Sequence, residues 1–297
     1  MIQQISLLVD SWTGISGSLG YLVIFVIVLI THQLLSVSRP HPITTNMSNN
    51  STTAKEETKV AVDPPRNFTA KQLAYFDGTK DEKTGEDKPV YLSVNGTVFD
   101  VSDGRNFYGP DGPYEKFAGK ECGVALAKMS FDEQHLGNLK GCSTELNFGE
   151  RTELEGWIEK FTYYRNYPIK GKLVDDDDLS KLSTRILTAD DLAQHTGESG
   201  QDIPEGYATA PIYIGAGNKV FDASFGGVEF YGSGGGYNKF AGRDISRALA
   251  KMSFDPEDLQ NTNIDDLTDK QRKVLDDWIE TFQTKKGYPI VGTLGKE

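Results

Sequence analysis

Apolar positions follow three regimes along this chain. Residues 15–35 contain no Asp, Glu, Lys or Arg, and their centre, Tyr21-Leu-Val-Ile-Phe-Val-Ile-Val-Leu-Ile30, is apolar throughout. Residues 36–66 scatter few apolar positions among Ser, Thr, Asn and Pro. From residue 67 onward, apolar positions come in short alternating runs and at helical spacing, and that succession occurs twice. In the first pass Pro89-Val-Tyr-Leu-Ser-Val94 alternates, Asn95-Gly96 turns, and Thr97-Val-Phe-Asp-Val101 returns. Asn-Gly readily takes the positive φ of a two-residue hairpin turn. In the second pass Pro211-Ile-Tyr-Ile214, Gly215 to Asn218 and Val220-Phe-Asp222 repeat the pattern.

A short helix signal precedes each hairpin. Thr69 is a cap with Gln72 three residues on, and Phe68 and Leu73 are placed as a hydrophobic staple; Leu187, Thr188, Asp191 and Leu192 repeat the arrangement. Residues 122–129 and 245–252 read as helices. A closing helix follows in each pass. Over 152–161, Thr152 and Glu155 make a capping box, with Leu154, Trp157, Ile158 and Phe161 on one face. Over 268–282, Thr268 and Gln271 do the same for Val274, Leu275, Trp278, Ile279 and Phe282. Trp157 and Trp278 read as core anchors. Both passes end in Tyr-Pro-Ile, at Tyr167 to Ile169 and Tyr288 to Ile290, where proline stops the helix and a short strand follows.

The first regime is long enough to span a bilayer core, which takes about 20 apolar residues. A cleaved signal peptide would want Lys or Arg ahead of the run, and residues 1–12 have none and one acid, Asp10. The expectation is a short segment at 1–14, an uncleaved anchor at 15–35 and a flexible tether at 36–66. Arg39, Lys55 and Lys59 after the span place the C-terminal part in the cytoplasm. Asn-x-Ser/Thr sequons at Asn46, Asn49, Asn50, Asn67 and Asn95 argue the other way, modestly. A second linker, 174–185, carries Asp175-Asp-Asp-Asp178, and self-repulsion predicts an extended, solvated spacer. Two domains then occupy 67–173 and 186–295.

Charge narrows the function. The formal net charge of −12 argues against non-specific nucleic-acid binding. Four histidines leave little material for paired imidazole ligation, and His135 and His195 read as surface residues. There is no Ser/His/Asp set, nucleotide loop or metal-ligand spacing, so a non-enzyme is expected.

The strongest signal is a loop that occurs twice. Phe107-Tyr-Gly-Pro-Asp-Gly-Pro-Tyr114-Glu-Lys-Phe-Ala-Gly119 and Phe230-Tyr-Gly-Ser-Gly-Gly-Gly-Tyr237-Asn-Lys-Phe-Ala-Gly242 each precede the octet Ala-Leu-Ala-Lys-Met-Ser-Phe-Asp. Together with Val94-Asn-Gly-Thr-Val-Phe-Asp-Val101, this loop resembles the membrane-associated progesterone receptor component family, whose pattern is F-Y-G-P-x-G-P-Y-x-x-F-A-G. The resemblance covers about 67–173 and 186–295. It implies an α+β fold, two tandem cytochrome b5-like domains behind an N-terminal transmembrane helix. The family has one such domain, so the tandem copy is a departure. Ordinary b5 domains carry His-Pro-Gly-Gly where this loop lies.

Haem iron needs an axial donor, and a tyrosine can serve where imidazoles are lacking. The resemblance implies five-coordinate haem held by Tyr114, with Tyr108 and Tyr167 beside it, and by Tyr237, with Tyr231 and Tyr288, in the second copy. A hard phenolate oxygen favours Fe(III), and single ligation leaves the other haem face open to substrate, partner or a second haem. The family's Lys ahead of its last tyrosine is Asn166 or Gly287 here, so its propionate contact does not carry over; Arg165 or Lys286 are the nearest substitutes. Ser233 and Gly236 replace Pro110 and Pro113, predicting a looser second loop. The resemblance further implies residence in the endoplasmic reticulum, a sterol or steroid ligand, support of cytochrome P450 enzymes, and self-association through haem faces. Two rival readings remain: a haem-free adaptor built on degenerate b5-like domains, and an electron carrier.

Overall fold

A computed structural model describes residues 64–295, which belong to one compact unit. The anchor expected at 15–35, nearly all of the tether and the sequons at Asn46, Asn49 and Asn50 lie outside the described residues. Among the described residues no helix is long and apolar enough to cross a membrane.

The first half runs β1 (Arg66–Phe68), α1 (Ala70–Leu73), β2 (Tyr91–Val94), β3 (Thr97–Asp100), α2 (Arg105–Tyr108), α3 (Gly123–Ala127), α4 (Gly141–Thr144), α5 (Phe148–Glu159) and β4 (Ile169–Leu173). Helix α6 (Asp176–Leu182) joins it to β5 (Ile186–Leu187), α7 (Ala189–Ala193), β6 (Tyr213–Ala216), β7 (Lys219–Asp222), α8 (Val228–Tyr231), β8 (Arg243–Asp244), α9 (Ser246–Lys251), α10 (Pro256–Gln260), α11 (Asp269–Glu280) and β9 (Ile290–Leu294). The strand orders are β1-β4-β3-β2 and β5-β9-β7-β6-β8. In both sheets a hairpin is antiparallel, the last strand pairs antiparallel with its second arm, and the first strand adds parallel at the edge. Both halves are α+β.

Local chemistry explains the elements. Asn95 and Gly96 sit at φ +50° and +75°, the left-handed values a two-residue turn requires. The second hairpin turns on Gly217 and Asn218, at +57° and +66°, so its first strand lies two residues later than the sequence suggested and its second begins one residue earlier, at Lys219. Capping boxes form at Thr69/Gln72, Thr188/Asp191 and Thr268/Gln271. Helix α5 differs from expectation: it starts at Phe148, capped by Asn147 and Glu150, and Thr152 lies inside it, its hydroxyl donating to the Phe148 carbonyl. Trp157 and Trp278 are only half-buried, over Phe161 and Phe282.

The acidic linker is not extended. Asp175 caps α6 by accepting from the Asp177 amide, and Asp176, Asp177 and Asp178 occupy the first turn, where the helix dipole favours negative charge. Lys140 bridges Asp175 and Asp177 at 3.3 and 2.7 Å. Leu179 is buried with Val174 and Phe225. Repulsion between exposed carboxylates in water is about 1 kcal/mol or less per pair. A cap worth about 1 kcal/mol and a buried leucine worth about 2 kcal/mol outweigh it.

Each sheet packs on both faces. In the second, Ile212, Ile214 and Phe221 join the main core, while Tyr213, Val220 and Val291 face Leu187 and Leu192. In the first, Tyr91 and Val98 pack on Phe68 and Leu73, while Phe99 meets Phe161.

The halves meet through polar groups withdrawn from water. Asn67 is wholly buried; its side-chain amide donates to Ser224 Oγ at 3.1 Å, and its Oδ1 accepts from the Ala208 amide at 2.6 Å. That burial rules out the Asn67 sequon as a glycan acceptor in the folded chain. Gln72 Nε2 donates to the carbonyls of Phe225 and Gly287 at 3.0 and 3.1 Å. Behind Ser224 lies Asp222, fully buried, accepting from the Ser224 amide at 3.0 Å, from the Ser224 hydroxyl, and from Tyr207 Oη at 3.3 Å. Burial outweighs these bonds and pushes its carboxyl up to about 7.

Asn67→Ala strips partners from buried groups and is expected to cost about 2 kcal/mol, read from urea unfolding. Asp222 adds a pH dependence. Its folded pKa lies above its unfolded value, so its contribution to stability is complete below about pH 4. That contribution is lost as pH rises through 7. The urea midpoint of Asp222→Asn should fall less than that of the wild type between pH 4 and 7.

Candidate functional site

The repeated loop becomes a fixed turn. Helix α2 ends at Gly109, and the amides of Gly109, Gly112 and Tyr114 donate to the carbonyls of Arg105, Gly109 and Phe107 at 2.7, 3.0 and 2.8 Å. A Cβ on Gly112 would stand 2.5 Å from the Phe107 carbonyl oxygen, so the turn closes only around glycine. It lays the Tyr114 ring 5.9 Å from that of Tyr108, inclined 35°. The far side of Tyr114 stacks on Phe131 at 5.9 Å and on Phe117 at 6.0 Å, leaving it 9% exposed.

The third tyrosine arrives from the end of α5. That helix widens into a π-turn over Lys160–Tyr164, and Asn166 follows at φ +50°. The Tyr167 amide donates to the Phe161 carbonyl at 3.0 Å, and its ring meets Tyr108 edge-on at 6.4 Å. A Cβ on Gly104 would be 2.8 Å from Tyr167 Oη and 3.2 Å from the Tyr108 ring. Three segments far apart in sequence thus converge three phenols.

The second half builds the same cluster. Tyr231 and Tyr237 lie 6.2 Å apart, and Tyr231 and Tyr288 meet at 6.3 Å and 78°. A π-turn over Thr281–Lys285 and Gly287 at φ +64° deliver Tyr288. The left-handed backbone accounts for Asn166 and Gly287 immediately ahead of these tyrosines. The Gly-rich loop follows the same path, with Gly235 and Tyr237 amides donating to Gly232 and Phe230 carbonyls at 3.0 and 2.9 Å. What differs is cover: Tyr237 is 43% exposed, and Phe254, which takes the place of Phe131, is also exposed. Gly236, in the place of Pro113, has nothing within 4 Å of where a Cβ would be.

Burial sets the electrostatics. It pushes the Tyr108 phenol far up, aided by the neighbouring Tyr167 and opposed by Arg165. It also raises Tyr114, Tyr167 and Tyr288, and takes Tyr231 to about 12. The buried clusters therefore hold protonated phenols near neutral pH, and a phenolate requires a cation to replace the proton. The Tyr288 hydroxyl is buried without a hydrogen-bond partner.

Both histidines of these halves are half-buried rather than on the surface, and neither joins a tyrosine cluster. His195 stacks on Tyr213 at 4.0 Å with Nδ1 2.7 Å from the Asp191 carbonyl, and His135 closes a 3-10 turn at Glu133–His135. Of the expected cations, Arg165 acts on Tyr108 and Tyr167, while Lys286 lies over Phe230 at 4.6 Å. Arg66 was not foreseen in sequence: it comes from the first half, yet it opposes the rise of Tyr288. The π-turns were not foreseen either, because a one-residue widening leaves no mark on a 3.6-residue pattern.

An α+β domain with a phenol-lined site and no imidazole pair is the class defined by this geometry. Residues 76–174 match the family described as Cytochrome b5-like Heme/Steroid binding domain. "Probable steroid-binding protein 3" of Arabidopsis thaliana is 42% identical over 108 residues, 36% of this chain and 97% of that protein. "Cytochrome P450 regulator dap1" of Schizosaccharomyces pombe is 33% identical over 135 residues, 44% of this chain and 76% of its own length. Human "Membrane-associated progesterone receptor component 2" is 33% identical over 109 residues, with less than half of its length covered. The chain belongs to the cytochrome b5-like haem/steroid-binding family, among the membrane steroid-binding and progesterone receptor component proteins.

Gly104→Ala should force Tyr167 and Tyr108 apart and cost about 1–3 kcal/mol by overpacking. Near-UV circular dichroism, which reads the tyrosine environment, should change while far-UV dichroism does not.

Proposed function

We propose that the chain is a membrane-anchored haem-binding protein with two b5-like domains in tandem, and that tyrosine holds the haem in each. Tyr114 is the axial ligand of the first, flanked by Tyr108 and Tyr167. Tyr237, Tyr231 and Tyr288 form the corresponding, weaker set. The observation that carries this reading is the placement of Tyr114: a covered phenol, fixed by a glycine-bounded turn beside two more phenols, with no histidine in the cluster. The donor set fits haem iron in the ferric state, since a hard oxygen anion stabilises Fe(III). The unpartnered Tyr288 hydroxyl is consistent with a polar group arriving there.

Bound haem would supply a ferric Lewis acid; the rest is done by the chain. Tyr114 gives up its phenolic proton, whose loss burial otherwise opposes. Phe117 and Phe131 hold the ring and exclude water from it. Tyr108, whose ring lies 5.9 Å from that of Tyr114, stays protonated and would be the hydrogen-bonding neighbour of the ligand. The positive charge of Arg165 acts on the cluster, opposing the rise of Tyr167. A single ligand leaves one haem face for substrate, partner or a second haem, and suits binding and regulation better than the electron shuttling of two fixed imidazoles. The chain's relatives, a steroid-binding protein and a cytochrome P450 regulator, support a non-enzymatic role in sterol or P450 metabolism, with a steroid or sterol as further ligand. The apolar run at 15–35 supports a single-pass anchor, and the charges after it support C-terminal domains in the cytoplasm, at the endoplasmic reticulum.

Hemin titration of the full chain tests the reading. A high-spin ferric spectrum is expected. Tyr114→Phe should weaken binding at the tighter site by at least about tenfold, and Tyr237→Phe should affect only the weaker one. Absence of a Soret band, or a low-spin bis-imidazole spectrum, would sink it.

A further inference from the structure

We propose that Gln72, in the first half, is a positioning residue of the second tyrosine cluster, so that haem binding in the second half depends on contact with the first. The consequence for haem rests on the tyrosine ligation proposed above. Gln72 belongs to the capping box that opens α1: its Oε1 accepts from the Thr69 amide at 3.2 Å, and its own backbone amide donates to Thr69 Oγ1 at 3.1 Å. The side-chain Nε2, with two N–H donors, is turned toward the second half. It donates to the Phe225 carbonyl at 3.0 Å and to the Gly287 carbonyl at 3.1 Å. One planar group thus ties together two backbone segments that lie far apart in sequence.

Each of those segments delivers a tyrosine. Phe225, wholly buried, leads through Gly226 and Gly227 into α8, which carries Tyr231. The Gly227 amide donates to the Ala223 carbonyl at 2.7 Å, and the Tyr231 amide to the Gly227 carbonyl at 2.9 Å, so this turn and α8 form one bonded unit. Gly287, at φ +64°, stands immediately ahead of Tyr288. The two segments meet closely: a Cβ on Gly227 would stand 2.8 Å from Tyr288 Oη and 3.0 Å from the Tyr231 ring. The Tyr288 hydroxyl has no hydrogen-bond partner of its own. Packing and backbone therefore set the place of Tyr288, and Gln72 holds that backbone one residue upstream.

The dependence runs one way. Asp191, which holds the place of Gln72 in the capping box of α7, accepts from the Thr188 amide at 2.8 Å and from the Thr188 hydroxyl at 2.9 Å. Its side chain is an ionised carboxylate and has no N–H to give to a neighbour. Asn166, which holds the place of Gly287 ahead of Tyr167, is exposed, whereas Gly287 is half-buried. The second cluster is therefore braced across the seam by a side chain whose counterpart cannot return the service. Since Tyr237 is 43% exposed, the second site relies the more on Tyr231 and Tyr288 standing in place.

NMR of the haem-free full chain with ring-labelled tyrosine, followed by hemin titration, tests this. Gln72→Glu keeps the acceptor of the capping box but turns a carboxylate on two carbonyls. Gln72→Met removes the donors without adding a charge. In both variants the signals of Tyr231 and Tyr288 should shift, those of Tyr108, Tyr114 and Tyr167 should stay, and far-UV dichroism should not change. Hemin affinity at the weaker site should fall about tenfold while the tighter site keeps its own. A mere loss of stability would disturb both clusters alike. Unmoved Tyr231 and Tyr288 signals, equal shifts in the two clusters, or a weaker hemin site with unchanged affinity would overturn the proposal. A wild type that takes up no hemin would sink tyrosine ligation instead, and the tyrosine signals would then decide the positioning role by themselves.

Discussion

The described part of this protein is held in register by one short edge strand, β1, which serves two partners. Along its length it pairs in parallel with β4, closing the first sheet. Sideways it passes Asn67 into the second half, where a side chain with no solvent exposure bonds Ser224 and the Ala208 amide. Buried polar groups cost several kcal/mol if left unpaired, so the halves meet in one register or not at all. An apolar seam would tolerate sliding. This one fixes where Arg66, Gln72, Phe225 and Gly287 stand relative to each other.

The same economy of burial shapes the tyrosine clusters. Phenols withdrawn from water resist ionisation, and here three converge with no base among them. Such a cluster keeps its protons at neutral pH. The two halves reach this arrangement through the same turn and the same π-widening, yet they differ in how well the loop tyrosine is covered. Phe131 shields Tyr114, whereas Phe254 stands partly in solvent beside an exposed Tyr237. A phenolate beside water competes less well for a metal than one beside rings.

Much of this was legible along the chain. Capping at Thr69, Thr188 and Thr268, the Asn95-Gly96 turn and the paired Tyr-Pro-Ile endings depend on contacts a few residues apart, and their chemistry survives in the linear order. The six tyrosines were readable because a repeated motif marked them. The acidic stretch at 175–178 reads as extended in the linear order because there its carboxylates face only each other. Lys140 and Phe225, which decide the matter, are remote in sequence. Helix α5 began four residues early because Asn147 with Glu150 caps better than the threonine further in.

By itself the sequence determined the elements, their duplication, the phenolic character of the site and the apolar run at 15–35, since each follows from spacing and side-chain type. Tertiary structure alone decided that Tyr108, Tyr114 and Tyr167 meet, that Tyr237 is uncovered, that Asp222 is sealed behind Ser224, and that Arg66 crosses to the other half. Those outcomes depend on which distant surfaces exclude water from one another, and no local pattern encodes that exclusion. The repeated loop announced two tyrosine clusters; only the packing around it made them unequal.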